Sequence, residues 1–389
     1  MSYTKEQLER IFSDLAARIN ISDVLFKAAD EEYTALGQWI NKETENNDTK
    51  YNVLIYPQGS FALGTVIKPI SDEDDYDLDL VCLVENDMSL DAKQLKFDVV
   101  KPWLTGYKKT KNDIEEKKRC WHLEYEDVPN FHMDVIPAIP QLPFKPDSTM
   151  ICITDKDKYR FPVYKYQGSN PKGYVQWFFK CCRQKKVGNT NLEVMSEMAR
   201  QEDLKQNKNK TQLQKAVQIL KRHRDVMFKD DPDNKPISII ITTLAGQIYN
   251  GETTIIDTLL GFVERVSVYL DSSRKEDGSY SILNPICASE NFADKWKEHP
   301  ERQKAFFSWI EKLQCDFDLK NLMQQDRVTM GNIIKEAFGS TTGKAIFSQM
   351  GYEEANEVKD GIRKVDTATG NLSKTGIVTV PPSRHYGDV

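Results

Sequence analysis

Between residues 4 and 19 the apolar positions Leu8, Ile11, Phe12, Leu15 and Ile19 recur at helical spacing, which predicts an amphipathic helix. The spacing returns over 22–43 through Val24, Leu25, Ala28, Leu36, Trp39 and Ile40, with Ser22 placed to cap the first turn. The period then shortens. Asn52-Val53-Leu54-Ile55-Tyr56 reads as a short strand stopped by Pro57 and Gly59. Residues 77–84 (DLDLVCLV) read as a second strand, polar where it begins and apolar afterward. Residues 119–126 and 131–137 read as a hairpin turning at Val128-Pro129-Asn130. Helices around strands predict an α/β (α+β) core over roughly residues 50–140.

Beyond residue 170 the pattern is mostly helical. Ser169-Asn170-Pro171 marks a helix start, with a cap followed by proline in the first turn. Residues 200–210 (RQEDLKQNKNK) are polar and read as a mobile loop. A helix over 211–228 carries Leu213, Val217, Leu220 and Met227, with Lys and Arg on its other faces. Pro236 opens another helix, and 254–270 forms a third. From about 357 the chain is polar and rich in Gly, Thr, Ser and Pro, with too little apolar content to fold alone. Three regions follow: 1–165 with the N-terminal helices and the strands, a helical lobe over 166–356, and a flexible tail over 357–389.

The formal charge of the 389 residues is -6, which disfavours a non-specific polyanion binder. The seven cysteines lack zinc-site spacing, and the adjacent pair Cys181-Cys182 reads as reduced thiols packed on a core. No run of eighteen apolar residues suggests a membrane span, and the N-terminal segment lacks the apolar core of a signal peptide. A cytoplasmic protein without a membrane partner is expected, and the charge balance disfavours nucleic acid as a partner.

The chemistry concentrates in Pro57-Gln58-Gly59-Ser60-Phe61-Ala62-Leu63-Gly64-Thr65 and Asp74-Asp75-Tyr76-Asp77-Leu78-Asp79-Leu80. Side chains two apart on a strand share a face, so Asp77 and Asp79 present paired carboxylates to one site. Such a pair is costly unless a cation neutralises it, and Mg²⁺ suits a site of carboxylates plus phosphate. Two such ions could clamp an attacking hydroxyl and a leaving pyrophosphate. Asp134 is the lone acid in Phe131-His132-Met133-Asp134-Val135-Ile136-Pro137, sharing a face with His132 and Ile136. It is the third candidate ligand, because a buried acid needs a partner. Gly59 lets backbone N–H groups approach a phosphate, and Ser60 can donate to the same oxygens. Asp75 shares the face of Asp77 and Asp79 and is the alternative first ligand.

GSFALGT, DYDLDLVCLV and FHMDVIPA resemble the cGAS/DncV-like nucleotidyltransferases (CD-NTases). The resemblance extends through SNPKGYVQWF, LQKAVQILKRHRD, KPISIIITTLA and ILNPICASENFADKW, about residues 50–300. It implies a polymerase-β-like nucleotidyltransferase lobe with a mixed sheet, and a helical lobe closing an NTP cleft. It further implies template-independent joining of NTPs (ATP, GTP or pyrimidine NTPs) into a cyclic di- or trinucleotide second messenger of anti-phage defence. The messenger would act on an effector. On matching positions Gly59 and Ser60 would contact triphosphate, while Asp77, Asp79 and Asp134 would hold two Mg²⁺ ions, for which Mn²⁺ can substitute. Lys215 and Ser238 fall where family members touch donor phosphates, with Lys221 a weaker candidate. Ile239 stands where relatives carry a base-stacking aromatic. The tail resembles those conjugated by ubiquitin-transfer-like enzymes, with Tyr386-Gly387 near the end. The same acids would also serve a terminal nucleotidyltransferase acting on RNA or protein. A nucleotide-binding pseudo-enzyme is the non-catalytic alternative.

Overall fold

The computed structural model describes residues 3–380 apart from 47–50, 72–75, 108–113, 126–130, 142–147, 158–161, 185–209, 368–371 and 374–375. Asp75, most of the polar stretch 200–210, the Val128-Pro129-Asn130 turn and Tyr386-Gly387 therefore lie outside the described residues.

Two helices open the chain, α1 (Lys5–Ile19) and α2 (Asp23–Asn46). Thr4 and Gln7 form a reciprocal capping box at α1, and Ser22 accepts from the Leu25 N–H at the start of α2. A seven-stranded mixed sheet follows. It comprises β1 (Val53–Pro57), β2 (Tyr76–Val84), β3 (Glu115–Glu116), β4 (Trp121–Glu124), β5 (Phe131–Pro140), β6 (Ile151–Asp157) and β7 (Val163–Ser169). Its order is β1-β2-β5-β4-β3, with β6 and then β7 joined to β5 further along. The long β5 therefore runs parallel to β2 on one edge, while β4 and β6 share its other edge. The short helix α3 (Gly59–Leu63) sits between β1 and β2, and α4 (Lys101–Thr105) follows a π-helical segment, Gln94–Val100.

The helical part comprises α5 (Pro171–Cys182), α6 (Gln212–Met227), α7 (Ser238–Ile248), α8 (Ile255–Ser272), α9 (Pro300–Asp316), α10 (Leu319–Gln324), α11 (Arg327–Phe338) and α12 (Ser340–Lys359). A small hairpin, β8 (Leu283–Asn284) with β9 (Cys287–Asn291), interrupts it. In the stretch read as a tail, three two-residue strands pair at 364–365, 372–373 and 378–379.

Two large apolar cores and a small one, around Val81, Leu83 and Ala138 of the sheet, form among the described residues. The first lies under the sheet, where Leu78, Leu80, Cys82, Met133 and Val135 meet Leu36 and Ile40 of α2. The second is helical. The sequence division groups both N-terminal helices with the sheet, but α1 buries Leu8, Ile11, Phe12 and Leu15 against α6, α8 and α11–α12. The apolar stripe fixes that a helix must be buried, and it carries nothing about which core takes it.

The other notable departure is α6. Its Lys and Arg lie on faces other than the apolar stripe, yet Lys221, Arg222, His223 and Arg224 are buried. They act as a strap. Gln214 Nε2 donates to the Leu63 carbonyl (2.9 Å), Gln218 Nε2 to Val66 (2.6 Å), and Lys221 Nζ to Thr65 (2.9 Å). Lys210 and Arg222 reach the Gly64 and Lys68 carbonyls on either side. The loop after α3 is irregular, so its carbonyls need donors from outside, and one helix supplies them.

Candidate active site

The Gln58 N–H donates to the Asp79 carbonyl (2.8 Å), which latches the end of β1 onto β2 just before the chain turns into α3. Gly59 makes that turn with φ +59°. Its backbone lies against the Asp79 carboxylate so closely that a β-carbon there would sit 2.2 Å from Oδ2. Only glycine combines this conformation with this approach. Ser60 follows in the first turn of α3, and its carbonyl accepts from the Thr65 N–H (2.9 Å).

The three acids adjoin. In the parallel pairing of β2 and β5, Asp79 lies opposite Asp134, and Asp77 opposite His132. In the antiparallel pairing of β4 and β5, His122 lies opposite Asp134. One sheet face therefore carries Asp77 and Asp79, then His132 and Asp134, then His122, on three neighbouring strands. His132 Nε2 meets Asp77 Oδ1 at 2.7 Å, and His122 Nδ1 meets Asp134 Oδ1 at 2.8 Å.

The electrostatics follow from this crowding. Burial, then the charges of Asp134 and Asp77, push the Asp79 carboxyl up to about 7. Burial also opposes ionisation of Asp77, but the hydrogen bond and charge of His132, with Lys221 beyond, hold it below the ordinary carboxylate value. Lys221 is itself brought down to about 8 by burial and by Arg224, against the pull of Asp225, Asp77 and Asp79. The Cys120 thiol is pushed up by burial and by neighbouring Asp134. A buried carboxylate whose ionisation two further acids oppose marks a site short of positive charge. Oxygen donors in that state fit a divalent cation. Among the described residues, His122, His132 and Asp134 also offer one ligand atom each within 4.8 Å of one another.

A cleft of about 660 Å³ opens beside these residues, between the sheet and the helical part. Gln58, Gly59 and Asp79 form its floor. One wall is the 117–120 turn, with Lys117, Lys118 and Arg119. Buried Lys96 anchors that turn by donating to the Lys117 (2.7 Å) and Lys118 (3.3 Å) carbonyls. Asp155 pairs with both Arg119 (3.0 Å) and Lys118 (3.3 Å). The opposite wall brings Ile237 and Ile239 from the start of α7, then Glu290, Trp296 and Arg302. Glu290 accepts from Asn284 Nδ2 (2.8 Å) and Ser169 Oγ (3.4 Å).

Of the residues singled out in the sequence, Gly59, Asp77, Asp79 and Asp134 thus come together. Of these only Gly59 and Asp79 line the cleft; Ser60, Asp77, Asp134, Lys215 and Ser238 are not among the lining residues. Lys215 is a partly exposed residue of α6. The Ser238 hydroxyl accepts from Arg224 (2.9 Å) at the head of α7, next to the lining residue Ile239. Sequence reasoning gave no role to His122, and it singled out residues 282–296 only as part of the resemblance, without placing them at the site. Period-2 alternation in Trp121-His122-Leu123 places His122 on the polar face, but only strand register sets it against Asp134.

Residues 53–137 match the family described as cyclic GMP-AMP synthase DncV-like, nucleotidyltransferase domain. A curated relative, c-di-GMP synthase of Roseivirga ehrenbergii, is 29% identical over 403 aligned positions, spanning 100% of this chain and 99% of its own. Among solved structures, the Bradyrhizobium diazoefficiens CD-NTase CdnG in complex with GTP superposes with a TM-score of 0.68. It is 20% identical, with 88% of this chain and 99% of that one covered. E. coli CdnC with ATP superposes with a TM-score of 0.59 at 12% identity, covering 86% of this chain and 98% of that one. These superpositions show a shared fold. No helix among the described residues is long and apolar enough to cross a membrane.

Proposed function

We propose, from the likeness to the cGAS/DncV-like nucleotidyltransferases, that the chain is one of them and joins two nucleoside triphosphates, GTP foremost, into a cyclic dinucleotide. One observation carries the reading. Asp79 and Asp134 face each other across neighbouring strands, with the Gly59 backbone packed on Asp79 at the floor of a cleft. Its size falls within the range of about 300–1,000 Å³ usual for small-ligand sites. GTP comes first because the relative aligned over the whole chain is a c-di-GMP synthase.

Two nucleotides enter and two pyrophosphates leave. A 3′- or 2′-hydroxyl of one nucleotide attacks the α-phosphorus of the other, and the linear product closes by a second such attack. Asp77, Asp79 and Asp134 would hold two Mg²⁺ ions, with Mn²⁺ as substitute, and the metal supplies charge neutralisation at the attacking hydroxyl and the leaving pyrophosphate. Asp134 lies beside Asp79 to receive the proton of that hydroxyl. The Gly59 N–H and the Ser60 hydroxyl would bind triphosphate oxygens, with Lys215 and Ser238 reaching the donor phosphates as the cleft closes. Lys117, Lys118, Arg119 and Arg302 line the cleft, and the positive charge that Asp155 and Glu115 leave among them would attract polyphosphate.

The wider role follows from the family resemblance: a messenger acting on an effector in anti-phage defence, a cytoplasmic location, and a C-terminal tail that a ubiquitin-transfer-like enzyme conjugates. The test is direct. Purified protein with Mg²⁺ and each NTP labelled in turn at the α-phosphate should yield a phosphatase-resistant product whose label comes from GTP. Mass spectrometry then gives base content and ring size. Label appearing only on added RNA, or only free nucleotide, would overturn the reading.

A further inference from the structure

We propose that His122 and His132 are positioning residues of the acidic centre, each fixing one carboxylate oxygen so that the other turns toward the bound cation. The inference rests on the synthase reading for its purpose and on the sheet register for its geometry. His122 faces Asp134 across β4 and β5, and His132 faces Asp77 across β5 and β2. Each contact is of hydrogen-bond length, 2.8 Å and 2.7 Å, and each is made to Oδ1 of its carboxylate. The imidazoles buttress each other, with ring centroids 4.3 Å apart at 50°.

The four side chains also divide by exposure. The histidines are 15% and 13% exposed, whereas Asp134 and Asp77 are 28% and 66% exposed. Imidazoles thus form the wall, and the carboxylates lie at the open side. A carboxylate on a strand can spin about its last bond. Two that must share a cation with Asp79 gain most from being held in one rotation before it arrives, and hydrogen bonds to ligating carboxylates serve that purpose.

The ring nitrogens give the test. His122 uses Nδ1 and His132 uses Nε2. An asparagine amide reaches the Nδ1 position and a glutamine amide the Nε2 position, so each isostere preserves one contact and loses the other. The readout is Mn²⁺ binding to the full chain without nucleotide, followed by electron paramagnetic resonance, with melting temperature checked alongside. His122→Asn and His132→Gln should bind Mn²⁺ nearly as wild type does. His122→Gln and His132→Asn should weaken it roughly 10–100-fold, the range for lost outer hydrogen bonds. Turnover should follow the same order, with the loss in kcat rather than in KM for NTP.

Equal Mn²⁺ affinity in all four variants would overturn the proposal. So would equal weakening in all four accompanied by a Co²⁺ absorption spectrum showing nitrogen ligation in wild type, since the imidazoles would then bind the metal themselves. If one matched pair fails to fold, the other still carries the comparison. Should the wild type make no cyclic product while the isostere pattern persists, the synthase reading falls and the positioning role stands.

Discussion

Alanine at Gly59 is the sharpest single perturbation the geometry offers. Two effects add. The backbone holds φ +59°, where a β-carbon costs about 1–2 kcal/mol. That β-carbon would also lie 2.2 Å from Asp79 Oδ2, 3.1 Å from Cγ and 3.3 Å from Cβ. Because the whole carboxylate is in the way, swinging its end aside is no escape, and either α3 retreats or Asp79 leaves its place beside Asp134. Strain alone lowers the melting temperature by about 1–3 °C. Displacing a catalytic carboxylate by 1 Å costs on the order of 10²-fold in rate. Gly64 is the internal control. Its φ is +66°, but its added β-carbon meets only the amide end of Gln214, at 2.6 Å. Gly64→Ala should lose similar stability and far less turnover. Initial rates of cyclic-product formation at saturating GTP and Mg²⁺, paired with thermal melts, compare the two. If Gly59→Ala turned over as fast as Gly64→Ala, the close packing of Gly59 on Asp79 would have no catalytic role.

Three further outcomes follow from the same structure. Since the Asp79 carboxyl is raised from 3.8 to about 7, the folded state holds that proton more tightly than the unfolded chain. Its contribution to stability is therefore present below the unfolded value and lost as pH rises through about 7. Metal-free protein should melt lower as pH climbs across that window, while Asp79→Asn should flatten this slope and abolish the stabilisation that Mg²⁺ gives. Lys221→Met removes the donor to the Thr65 carbonyl, and leaving that buried group unpaired should cost about 1–3 kcal/mol in denaturant unfolding; unchanged stability would mean the strap from α6 is dispensable. Arg302→Ala, at the cleft wall, should raise KM for GTP several-fold with little change in kcat, and a pure kcat effect in steady-state kinetics would count against a role in substrate capture.

The sequence by itself determined the strand–turn–strand chemistry. Short-range pattern suffices there: Pro57-Gln58-Gly59 must turn, alternation puts Asp77 and Asp79 on one face, and the lone acid Asp134 sits two residues from His132 on its own strand. It also determined six of the twelve helices described, because a cap such as Asn170 and apolar stripes are local features. What only tertiary structure decided is which distant segments meet. Strand register set Asp134 beside Asp79 and His122 beside Asp134, although nothing within Trp121-His122-Leu123 specifies a partner. Packing drew α1 into the helical core and turned the polar side of α6 inward, where Lys221 and its neighbours bind the carbonyls of a loop more than 150 residues earlier. Charge on a helix is read locally as exposure, but an irregular buried loop leaves carbonyls that require donors. That demand, invisible until the chain is folded, is the stronger of the two.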